Sequence, residues 1–248
     1  MPAASAVQIC RGFTVAQWNE LKLRLRNSAG TLKEDQAAWK CAVEVFERRI
    51  TERFLAPIEA LEQADSKADV AVAENAPSDC STLPAQTETL IVVPGFAIMA
   101  LCCLLAETLQ SFRSKQETPH KVGGPCPYPA GACIKAPGTT TTDALKAFLR
   151  RPAFKNSFLA EDVAVSFIRG IRNGILHEAE TGEWVIWRNE PEGQVVTCEG
   201  DQYALNRTEF YRCLKAEFFS YLTELRDPQR NELRLRFCKK MNDLVNAC

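Results

Sequence analysis

"FIRGIRNGILHEAET", residues 167–181, sets Arg169, Arg172, Asn173, Gly174 and His177, one of only two histidines in the chain, into an apolar repeat. At about 100° per residue, Val163, Phe167, Ile168, Ile171 and Ile175 gather on one side of a helix, which predicts that this side faces other helices. Arg169, Arg172 and Asn173 fall on the opposite half, toward solvent or a partner. Gly174 costs about 1 kcal/mol relative to alanine inside a helix, so its presence points to close backbone approach or a loosened last turn. Arg172 and His177 are five positions apart, about 140° on an ideal helix. They converge on one point only if the helix unwinds near Gly174, or if a second copy packs alongside and the two sets pool across a two-fold axis.

Outward from this stretch the chain reads as helices. "FTVAQWNELKLRLRN" repeats Phe13, Trp18, Leu21 and Leu25 at helical spacing. "TLKEDQAAWKCAVEVFERRITERFLAPIEAL" carries the stripe Trp39, Val43, Phe46, Ile50, Phe54 and Leu55, with Thr31 and Glu34 as a capping box and Pro57 as a bend or end. A helix from about Gly95 to Lys115 follows. "DALKAFLRRPAFKNSF" adds a short helix with Asp143 as N-cap. "RTEFYRCLKAEFFSYLTELRD" and "NELRLRFCKKMNDLVNAC" close the chain as helices, the first with Phe210, Leu214, Phe218 and Leu222 on its stripe. Between them and the motif helix, "EWVIWR" and "QVVTCEGDQYALN" around "NEPEG" read as a β-hairpin. The expected class is mainly all-α: one domain over residues 1–248, with insertions at about 65–89 and 115–142, where periodicity gives way to Pro, Gly, Ser and Thr.

With 30 Lys and Arg against 31 Asp and Glu, the net charge is -1, so any nucleic-acid contact must come from a local patch. The 11 cysteines are odd in number and spread over 248 residues, which fits reduced thiols in a cytoplasmic setting better than a disulfide scaffold. "LIVVPGFAIMALCCLLA", residues 90–106, holds 17 apolar or small residues, near the lower limit of about 17 for a bilayer span. Pro94-Gly95 interrupts it and Glu107 follows it, which favours a helix buried in a bundle over a membrane anchor. His120, Cys126 and Cys133, with Cys80, lack the short ligand spacing of zinc sites, so neither metal nor cofactor is expected. Phosphate-loop, dinucleotide, zinc-protease and serine-hydrolase motifs are absent from the sequence. The basic run Arg230, Arg234, Arg236, Lys239 and Lys240 reads as a solvated helix face or as a contact for RNA phosphates.

"RNGILH" resembles the Arg-(four to six residues)-His signature of the HEPN superfamily, including a polar residue, Asn173, directly after the arginine. The similarity covers about residues 31–64, 90–114, 143–181 and 205–226, and "FERRITERFLAPIEAL", "GFAIMALCCLLAETLQSF" and "IRNGILHEAET" look like three blocks of a bacterial HEPN-like family of large bundles. The resemblance implies a metal-independent endoribonuclease acting as a homodimer, in toxin or defence roles, with RNA as substrate and an antitoxin or regulatory protein as a partner. It assigns proton transfer to His177, the phosphate clamp to Arg172 and orientation at the same phosphate to Asn173. Arg169 would extend the RNA surface and Glu178 would tune the histidine; Glu107, set in an otherwise apolar helix, either holds an arginine of the motif in place or stands at the solvent edge of that helix. These residue types suit the chemistry: imidazole exchanges protons near neutral pH, and a guanidinium fork matches phosphate. Members modified by a partner nucleotidyltransferase carry a tyrosine two positions after the histidine, where this chain has Ala179. The resemblance equally admits a catalytically inactive RNA- or protein-binding dimerisation module.

Overall fold

The computed structural model describes residues 7–27, 30–74, 94–114, 141–189, 192–200 and 202–246. A short ribbon of β1 (Gln8–Cys10) and β2 (Phe13–Thr14) leads into α1 (Val15–Leu25), whose first turn is closed by a reciprocal capping box between Thr14 and Gln17. The cap of α2 (Gln36–Ile50) is Asp35, which accepts from the Ala38 N–H, and not the expected Thr31. Trp39, Val43, Phe46 and Ile50 are buried along the predicted stripe. A π turn at Thr51–Leu55 joins α2 to α3 (Ala56–Glu74) without a break. Pro57 therefore does not end the helix. The wider turn just before it opens space where the proline ring would meet the carbonyl four residues back.

The continuation of α3 through residues 65–74 replaces the insertion expected to begin at 65. Asp65 is buried and pairs with Arg207, while Arg188 approaches the same carboxylate at 3.7 Å. An acidic residue that reads as the start of a loop is in fact an ion-pair partner of chain more than 100 positions away. The remainder of that segment and nearly all of 115–142 lie outside the described residues.

α4 (Gly95–Arg113) is central, packed against α3, α5 (Thr141–Leu149), α7 (Arg207–Arg226) and α8 (Asn231–Asn246). Among the described residues it is the one helix long and apolar enough to cross a membrane, and half of it is buried inside this bundle. Asp143 lies within the first turn of α5, not at its N-cap. After α5 come a 3-10 turn at Pro152–Phe154, α6 (Glu161–Phe167) and a π-helical segment, Ile168–Glu178.

Two aromatic groups form the core. Phe46 contacts Phe112, Tyr221 and Phe237 where α2, α4, α7 and α8 meet. Phe154, Phe158 and Phe167 surround Phe210 at the other end and support the motif helix. The expected hairpin is corrected: β3 (Trp184–Trp187) pairs in parallel with β5 (Gln202–Asn206), and the antiparallel partner of β5 is β4 (Val196–Glu199), giving the order β3-β5-β4. Glu199 faces Gln202 across a tight connection in which Gly200, at φ 62°, adopts the left-handed backbone such loops use. Trp184 stacks on Tyr203 and donates to Ser166 Oγ at 2.9 Å, fixing the sheet to α6.

Candidate functional site

The π-helical segment changes the geometry expected of the motif. Hydrogen bonds of the i→i+5 type give about 4.4 residues per turn, so positions five apart differ by roughly 50° instead of 140°. On ideal π geometry Arg172 and His177 would therefore lie near one face, one turn apart, within a single chain. The helix is thus widened through Gly174 and does not keep ordinary α-helical winding there.

The widened helix ends where the chain folds back over it. Ala179 takes a left-handed conformation at φ 57°, and its N–H reaches the Gly174 carbonyl. A Cβ on Gly174 would press into the Glu180 carbonyl oxygen. One on Gly170 would lie 2.7 Å from the Trp184 ring and 2.9 Å from the Thr181 carbonyl. Glycine at both places lets residues 180–184 cross the helix at backbone distance. Gly174 thus has both a loosened turn and a close approach; Gly170 escapes notice in the sequence because its neighbour, Trp184, comes from the following strand.

Arg172 is turned inward toward α4. Its Nε donates to Glu107 Oε1 at 2.6 Å, Nη2 approaches Oε2 at 3.4 Å, and Nη1 donates to Asn173 Oδ1 at 2.9 Å. The carboxylate and the amide thereby hold the guanidinium plane from two sides. Arg172 and Asn173 are half-buried, and not on an open polar face as the α-helical wheel implies. Glu107, half-buried directly after the apolar run, meets Arg172, the arginine of the motif. Directly behind them the Cys103 thiol is pushed up to about 12, by burial first and by the Glu107 charge second.

His177, Arg169 and Glu178 are exposed and make no hydrogen bond or ion pair with the described residues. The structure therefore joins Arg172, Asn173 and Glu107 into one cluster and leaves Arg169, His177 and Glu178 at its solvent side. Glu178 does not reach His177. Among the described residues no group of His, Cys, Asp and Glu side chains is arranged to hold a metal. His120, Cys126, Cys133 and Cys80 lie outside those residues.

The C-terminal basic run is divided by the fold. Arg234 is buried, donates to the Leu225 and Arg226 carbonyls that end α7, and lies 4.4 Å from the centre of the Trp39 ring. Arg236 pairs with Glu232 at 2.6 Å, and Arg230 approaches Asp227 at 3.8 Å. Three of its five cations thus serve the bundle, while Lys239 and Lys240 face outward or into a cavity. Comparison with known proteins returns no matching family model, no matching curated protein and no matching solved structure.

Proposed function

We propose that the chain is a HEPN-type endoribonuclease that cleaves RNA without a metal at a site built from Arg172, Asn173 and His177 and completed across a homodimer. One observation carries this reading: Arg172, whose plane Glu107 and Asn173 fix, and the exposed His177 lie on one π-helical segment, about one wide turn apart. Arg172 binds the scissile phosphate, and Asn173 keeps its Nη1 edge aimed. His177 takes the proton from the ribose 2′-hydroxyl as the 2′-oxygen bonds to phosphorus. The bond from phosphorus to the 5′-oxygen breaks and that oxygen takes the proton back from the His177 imidazolium, directly or through water, leaving a 2′,3′-cyclic phosphate on one product and a 5′-hydroxyl on the other.

A second reading, a binding module of the same type without catalysis, is favoured by the Glu107 carboxylate, which already offsets the charge of Arg172. The two separate on one assay. Purified protein incubated with mixed RNA in EDTA should yield cyclic-phosphate ends, and His177→Ala or Arg172→Ala should lower the rate at least about 100-fold, the scale of general acid–base catalysis. Cleavage that survives both substitutions removes these residues from the mechanism; RNA binding with no cleavage selects the module. A dimer on sizing chromatography is the accompanying expectation.

A further inference from the structure

A cavity of about 230 Å³ opens beside α4, between α2 with its π turn and α8, and three cationic side chains, Arg49, Arg53 and Lys240, line it. No acidic side chain lines it among the described residues. Arg53 and Lys240 have no carboxylate within ion-pair distance among the described residues, and these two like charges beside one space repel unless an anion neutralises them. The Ile9 carbonyl, which accepts from Arg49 at 2.7 Å and Arg53 at 3.4 Å, holds the two guanidinium groups side by side.

The remaining walls point to the rest of the ligand. Thr108 and Ser111 bring hydroxyls whose protons go to the Leu104 and Thr108 carbonyls, and a hydroxyl proton can turn toward a stronger acceptor. Phe112 contributes to an apolar floor. At about 230 Å³ the space is larger than a bare phosphate fills, which leaves room for a small body attached to it. The π turn that carries Arg53 forms one wall, and single wide turns of this kind recur where helices are shaped for function.

We infer that this cavity binds a phosphate monoester on a small body such as a pentose, with Arg49, Arg53 and Lys240 on the phosphate and the apolar floor under the sugar. It is separate from the Arg172 cluster and holds whether or not the chain cleaves RNA. The source of the phosphate is either a free sugar phosphate or the 5′-phosphorylated end of an RNA strand.

Titration calorimetry with ribose 5-phosphate tests it, with ribose as control. One ligand per chain is expected, ribose should give no heat, and the double variant Arg53→Gln/Lys240→Gln should bind at least tenfold more weakly while keeping the wild-type melting curve. Lys240→Arg should bind within about threefold of wild type, and Arg172→Ala and His177→Ala should bind as wild type does, separating this site from the nuclease reading. A 5′-phosphorylated oligonucleotide that displaces the sugar phosphate, where its 5′-hydroxyl counterpart does not, identifies the RNA end as the source; no displacement identifies the free ester. Equal binding of ribose and ribose 5-phosphate, an unaffected double variant, or no heat at millimolar ligand overturns the inference.

Discussion

Glu107 and Arg172 are each 21 % exposed at the side chain, so their pair is neither screened like a surface bridge nor fully desolvated. Removing either partner leaves the other's charge half-buried against α4. A double-mutant cycle of Glu107→Gln and Arg172→Gln, read by urea unfolding near neutral pH, should give a coupling of about 1–2 kcal/mol. Coupling indistinguishable from zero would mean that the two side chains stand apart in solution and that nothing holds the guanidinium plane. A carboxylate at the end of an uncharged run admits either a buried partner or a solvent edge, and for Glu107 the contact with Arg172 decides. Asp65 is not readable in that way: it sits among Ser, Lys, Asp and Ala, and only the approach of Arg207 and Arg188 makes it structural.

Helical periodicity located nearly every long element, yet it presumes 3.6 residues per turn and so misplaces any face inside a π segment. The wheel put Arg172 and His177 on different sides for this reason alone. Strand pairing failed from a different cause. Local alternation finds strands, whereas the choice of partner depends on Gly200 making a tighter connection than the Pro-Glu-Gly stretch before it. Gly174→Ala tests how tightly the π segment is locked. In an ordinary helix the alanine would gain about 1 kcal/mol, but here its Cβ meets the Glu180 backbone, which has to move. Such a clash costs about 1–3 kcal/mol, so the net change should be a loss of up to about 2 kcal/mol and a fall of up to several degrees in Tm. An increase in Tm would show that the segment relaxes to an ordinary α-helix in solution, and the shared face of Arg172 and His177 would go with it.

Across the whole molecule the apolar stripes predicted the bundle, since burying them leaves few arrangements for amphipathic helices. The buried ion pairs escape the sequence because each joins remote elements: Arg113 meets Glu224 at 2.9 Å, and Arg151 meets Glu217 at 2.5 Å. The most diagnostic global feature is the interior position of α4, and its thiols report it. Cys102 and Cys103 are buried, as are Cys10, Cys213 and Cys238, whereas Cys198 is exposed. Burial raises the Cys102 thiol well above its usual range and brings Cys103 and Cys238 to about 12, so at pH 8 only about one in 10,000 of the latter two is the reactive thiolate. Native protein treated with a thiol reagent at pH 8 should therefore modify Cys198 within minutes and leave those five unmodified by peptide mass spectrometry. In rising urea Cys102, Cys103 and Cys238 should become reactive together, at the midpoint of global unfolding, because no local opening exposes the centre of a bundle. If Cys102 or Cys103 reacts as fast as Cys198 without denaturant, α4 does not lie at the core, Glu107 is not held against the motif helix, and the long apolar run has to find its cover elsewhere.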